Sequence, residues 1–200
     1  MKEPGTCAKL TSGKFRRARA SRFILATVIA VCAFPMVIEL YAQPPKPTEY
    51  EVEAAYLSNF GRFVEWPGRA NGAGETFNIC VLGQDPFGLA LDGALKGESI
   101  NGAPMAPKRI AGPDEASSCR ILFISTSKDN QLDSILRALG TSRILTVSDM
   151  AAFTDRGGMI QFVLDGNRVR FQINIAAAQR ARLSLSSQLL KLALNIRRSP

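Results

Sequence analysis

Residues 78–88, NICVLGQDPFG, end an apolar run with Gly83 and Gly88 at the spacing of a phosphate-cradling loop. Such a loop needs a lysine and a serine or threonine after its second glycine, to hold the phosphate charge and a magnesium ion. Leu89 and Ala90 stand there instead, and Asp85 would put negative charge inside the cradle. The stretch reads instead as a strand and a turn, with Asp85 capping a helix whose first residue is Pro86. Histidine is absent from the chain. That removes the usual serine and cysteine hydrolase arrangements, imidazole acid–base chemistry and most catalytic zinc sites. Cys80 and Cys119 are too far apart for a C-x-x-C redox pair. Asp114, Glu115, Asp129, Asp133, Asp149, Asp155 and Asp165 sit mainly where turns and caps are expected. The reading is of a non-enzyme, with no catalytic residue, metal set or cofactor.

The N-terminus changes what the charge means. Lys2, Lys9, Lys14, Arg16, Arg17, Arg19 and Arg22 precede an apolar run from Phe23 to Leu40, and QPPKP follows Tyr41-Ala42. This order is that of a secretory signal over residues 1–42, with cleavage after Ala42; an uncleaved membrane anchor is the alternative. The whole chain is +8. Seven of its 25 lysines and arginines and two of its 17 acids fall in those first 42 residues, which leaves +3 for the exported part. The basicity therefore belongs mostly to the targeting segment, and nucleic acid is dropped as a partner. Cys7 and Cys32 leave with the signal. Cys80 and Cys119 remain in an oxidising compartment, where a disulfide is the expected state and two separate buried thiols the alternative.

The elements that must position these residues follow from periodicity. Residues 43–47 form a short extended linker, and a single domain follows over 48–200. Thr48 and Glu51 make a capping box. Val52, Ala55, Tyr56, Phe60, Phe63 and Val64 then recur at helical spacing up to Trp66, and Pro67 ends the helix. Residues 68–75 are a glycine-rich loop. Strands are expected at 76–82, 120–125 and 143–148, and helices near 86–95 and 128–139, the latter stopped by Gly140. Residues 97–110 carry Asn101-Gly102, Pro104 and Pro107, which suit an edge hairpin rather than a central strand. GGMIQFVLDGNRVRFQIN reads as a hairpin about Asp165-Gly166. Helices near 174–181 and 186–197 close the chain. The fold class is α/β: a small, mostly parallel sheet flanked by helices, with a C-terminal antiparallel hairpin and terminal helices.

In the final helix Leu185, Leu189, Leu192 and Ile196 form a stripe that Leu190, Ala193 and Leu194 widen. One reading is a well-buried last helix. The other is that part of this surface meets another protein. Arg168, Arg170, Arg180 and Arg182 read either as a solvated face or as a rim that contacts an anion or an acidic partner.

Taken together, EAAYLSNFGRFVEWP, FNICVLGQDPFG, CRILFIS, ILTVSD and FTDRGGMIQFVLDGNRVRFQINIAAAQRARLSLSSQLLKLA occur in an order that resembles the YfiR family of periplasmic proteins. The resemblance covers roughly residues 48–195. It implies a compact α/β domain, often a homodimer, with no enzymatic activity of its own. It also implies a repressor that binds the periplasmic region of an inner-membrane diguanylate cyclase, or another membrane sensor. An OmpA-like outer-membrane lipoprotein would sequester the repressor, so that cyclic di-GMP and biofilm formation rise. Cys80 and Cys119 match a family cysteine pair that forms a disulfide. Leu185, Leu189, Leu190 and Leu192 match an apolar region implicated in holding the cyclase. Phe60, Phe63 and Trp66 match family positions and read as core. Studied members carry a second cysteine pair nearer the C-terminus, which this chain lacks. The competing expectation is a periplasmic small-ligand binding module serving another receptor, with the arginines facing the ligand.

Overall fold

The computed structural model describes residues 46–67 and 75–198. The expected signal segment over 1–42, the start of the expected linker and most of the glycine-rich stretch 68–75 lie outside them.

The chain enters through helix α1 (Glu49–Phe63), opened by the Thr48–Glu51 capping box. The Thr48 hydroxyl accepts the Glu51 amide proton and the Glu51 carboxylate accepts the Thr48 amide proton. The helix ends three residues before Trp66, because Val64–Glu65 turns extended as strand β1. Strand β2 (Phe77–Leu82) leads to helix α2 (Leu89–Leu95), then to the hairpin of β3 (Ser99–Ile100) and β4 (Ala103–Ile110). A 3-10 turn over Pro113–Ser118 precedes β5 (Cys119–Ile124). A second 3-10 turn (Thr126–Gln131) runs into helix α3 (Leu132–Leu139), and Gly140 at φ 54 stops it. Then come β6 (Leu145–Ser148), β7 (Ile160–Asp165), β8 (Arg168–Asn174), α4 (Ile175–Arg180), β9 (Ser184–Leu185), α5 (Ser187–Leu192) and β10 (Asn195–Arg197).

Eight strands form one sheet in the order β10-β8-β7-β6-β5-β2-β4-β3. Neighbours are parallel except in the two hairpins, β7–β8 and β3–β4. β1 and β9 make a separate antiparallel pair, Val64 opposite Leu185. The central strands are buried on both faces, as their near-continuous apolar runs require. Ile79, Val81, Ile121 and Phe123 join α1 and α2 on one face. Cys80, Leu82, Leu122 and Ile124 join α3, Met150 and Phe153 on the other. The aromatic centre of the first core is Tyr56, Phe60, Phe162 and Phe171, with ring centroids 5.3–5.9 Å apart. Gly61 lets α1 approach this layer, since a methyl there would overlap Ile100 and the Phe77 ring.

The expected α/β sheet and hairpin are present, and Pro104 and Pro107 do lie in a hairpin at the sheet's edge. Two expectations need correction. Asp85 does not cap a helix at Pro86: its carboxylate accepts the Phe87 amide proton at 2.8 Å, and α2 starts only after Gly88 at φ 52. Nor does one helix span 186–197. It is capped by Ser186 and ends at Leu192, because Ala193 is extended. The Leu194 amide then donates to Phe171 O at 2.8 Å, which starts β10 beside β8.

Candidate partner-binding surface

Cys80 and Cys119 are bonded to each other, with Cα atoms 5.8 Å apart, across the adjacent strands β2 and β5. Both are fully buried in the core beneath α3. The bridge ties the sheet together and offers no accessible sulfur for chemistry.

The four C-terminal leucines take three different positions. Leu189 is only 1% exposed and packs in the core with α1. It cannot present an anchor to a partner, which corrects the single-stripe expectation. Leu185 and Leu190 are half-buried and line a surface hollow of about 430 Å³ with Ile175, Ala178 and Leu183. Leu192 is 55% exposed, and Leu194 after it is 45% exposed. The hollow is built by three short elements. β9 is fixed to β1 by its register and by Ser186 N donating to Phe63 O. The Ser186 hydroxyl accepts the Leu189 amide proton and sets the start of α5. α4 is capped by Asn174, whose side chain accepts from the Ala177 amide. The result is a hollow in which Gln179 and Ser184 stand beside the apolar side chains, with two exposed leucines in the segment that follows it, held by a buried Leu189.

The four arginines are not gathered into one rim. Arg168 stands at the hairpin tip opposite Asp165, while α4, which carries Arg180, starts from the far end of β8. The seven residues of β8, roughly 20 Å from first to last, separate those ends. Arg170 is half-buried on β8, and Arg182 is exposed in the turn after α4 at φ 56. Arg180 lines a different cavity of about 300 Å³ with Arg137 and Arg156. Arg156 there is paired with Asp129 and Asp133.

Sequence reading missed Glu53. It lies on α1 among acids and looks like part of a solvated face, yet it is fully buried, and neither carboxyl oxygen has a partner among the described residues. Burial first, then the charges of Asp149 and Glu49, push its pKa up to about 8. Asp149, half-buried, is also raised, by burial first. An acid with a raised folded pKa is protonated in the native state where the unfolded chain has already lost its proton. Stability therefore falls as pH rises from about 4.5 to about 8, by about 1.4 kcal/mol per pH unit for one group. Asp149 adds in the same direction. Glu53→Gln is expected to match the natural protein near pH 5 and to exceed it by a few kcal/mol near pH 8. Urea denaturation across that range reads the difference, and parallel pH profiles would contradict it.

Among the described residues no helix is long and apolar enough to cross a membrane, and no cluster of His, Cys, Asp and Glu is arranged for a metal ion. A family model described as YfiR/HmsC-like matches residues 50–194. Among solved structures, a conserved domain protein from Vibrio cholerae matches with a TM-score of 0.52 at 9% identity, over 75% of this chain and 60% of that one. An ABC domain in complex with L-Trp from Streptococcus pneumonia matches with a TM-score of 0.47 at 12% identity, over 72% of this chain and 61% of that one. The chain thus spans about 60% of the length of these structures. At such identities the first likeness concerns the fold alone.

Proposed function

The chain belongs to the YfiR/HmsC-like family, whose members regulate diguanylate cyclases from the periplasm, and from that premise we propose a specific action for it. Residues 1–42 direct export, and the domain over 48–200 works in the periplasm. There it docks on the periplasmic region of an inner-membrane diguanylate cyclase and holds it inactive, which limits cyclic di-GMP and biofilm formation. The family match over nearly the whole described domain carries this reading. Leu192 and Leu194, exposed after a hollow of mixed polar and apolar lining that holds Leu185 and Leu190, would supply the apolar anchors of such an interface. Repression then means binding the inactive state of the cyclase more tightly than the active one. An OmpA-like lipoprotein would release the enzyme by competing for the repressor, and a homodimer would present two such surfaces.

Cellular cyclic di-GMP, measured with the gene deleted and then restored, tests this. The expected result is a rise on deletion that restoration reverses. Unchanged cyclic di-GMP across several growth conditions would remove the cyclase as partner.

A further inference from the structure

We propose that the cavity between the last turn of α3, the leading ends of β6 and β7, and α4 binds a small aliphatic carboxylate, with Arg137 and Arg180 on its head group and buried apolar side chains along its chain. The cavity holds about 300 Å³, at the lower end for small-molecule sites. The fold gathers its walls. β6 and β7 run parallel with Val147 opposite Ile160, so both strands start on the same side of the sheet. The β7–β8 hairpin then returns the chain to that side, where Asn174 N donates to Met159 O and α4 begins. α3 ends there too, because only a short turn separates Gly140 from Leu145.

The charge of the ligand follows from the lining. Arg156 is committed to Asp129 and Asp133. Arg137, in the last turn of α3, and Arg180, the last residue of α4, make no ion pair among the described residues. Three arginines against two aspartates leave one positive charge, which suits a monoanion rather than a phosphate dianion. Outside the Arg156 cluster the lining holds no carboxylate, and its polar side chains can all donate: the two guanidinium groups, Ser142 and Thr146. Thr146 is only 3% exposed; its hydroxyl accepts the Met159 amide proton at 3.2 Å, and its own proton has no acceptor among the described residues. The end of α3 repels an anion only weakly, since Leu136 O and Leu139 O already accept from Gly140 N and Ser142 N. A carboxylate offers acceptors alone and matches the fork of an arginine.

The body of the ligand follows from the floor. Leu139, Ile144, Met159 and Ala177 line the cavity and are each at most 7% exposed, with Leu136 half-buried beside them. A hydrocarbon chain laid on these side chains removes further apolar surface from water. A head group without a chain leaves that floor uncovered. A chain without a charge leaves both guanidinium groups unpaired. Affinity therefore requires the two parts in one molecule.

The test uses the exported chain and sodium hexanoate, with sodium acetate, sodium phosphate and hexanamide as controls at matched ionic strength. The expected result is a rise in Tm with hexanoate alone. Saturating backbone amide shifts should gather at Gly140, Ser142, Gly157 and Ala177. Arg137→Gln and, independently, Arg180→Gln should each weaken hexanoate binding at least about tenfold. Both arginines are exposed, so the unliganded variants should keep the natural Tm. Arg182→Gln removes the same charge outside the cavity and should bind hexanoate as the natural protein does. An equal response to acetate or hexanamide, shifts that gather elsewhere, unchanged affinity in both cavity variants, or equal weakening by Arg182→Gln would overturn the proposal. The cavity shares no lining residue with the hollow at Leu185 and Leu190, and the readout needs no cyclase, so these outcomes are independent of docking.

Discussion

Leu192→Asp/Leu194→Asp is expected to lose repression of the partner while keeping the fold. Both side chains are about half exposed, so the substitutions disturb little packing. If they anchor the interface, a buried carboxylate against an apolar partner costs at least about 2 kcal/mol, roughly thirtyfold in Kd. Far-UV circular dichroism and the urea midpoint should stay within about 0.5 kcal/mol of the natural protein. Leu189→Asp is the contrasting variant. It puts a charge in the core beneath α1 and should unfold the domain, so its loss of binding says nothing about the surface. Full affinity of the Leu192/Leu194 variant for the cyclase's periplasmic region would move the interface elsewhere.

Cys80→Ala/Cys119→Ala is expected to lose about 4 kcal/mol of stability, from the entropy of a closed loop of about 40 residues in the unfolded chain. The bond joins two central strands and is wholly buried. A reductant therefore reaches it only when the sheet opens. Reduction of the folded protein by dithiothreitol should be far slower than reduction of the urea-unfolded chain at the same reductant concentration. Urea denaturation of the double variant measures the first effect, and thiol trapping over time measures the second. Reduction of the folded protein as fast as that of the urea-unfolded chain would mean that the sulfur is accessible in the native state.

Much of this architecture is legible in the sequence because its signals are local. The Thr48–Glu51 box and the hairpin signal at Asp165-Gly166 each declare an element within a few residues, although Asp165 still pairs with Arg168 and the turn itself is Gly166-Asn167, with Gly166 at the positive φ it needs. The buried strands declare themselves by unbroken apolar runs. The end of the chain is less legible because LKLALNI suits a helix or a strand equally. The edge of β8 decides it, by drawing Leu194 N onto Phe171 O. Glu53 is hidden for a similar reason. Its neighbours along the chain make it look solvated, and only the packing of α1 against the rest of the domain buries it. The arginines cluster along the chain, yet the hairpin carries them to opposite ends of the sheet.

The two margins of the eight-stranded sheet carry a consequence for a protein that must stay dispersed. β3 is two residues long, and past its end β4 exposes a margin interrupted by Pro107 and charged at Lys108 and Arg109. At the other side β10 is three residues long and holds Arg197 in a pair with Asp155. Neither margin offers a long, uncharged run of free backbone groups on which another strand can grow. Misassembly into stacked sheets is thereby disfavoured, and contacts between copies are left to side-chain faces, where they can be reversible.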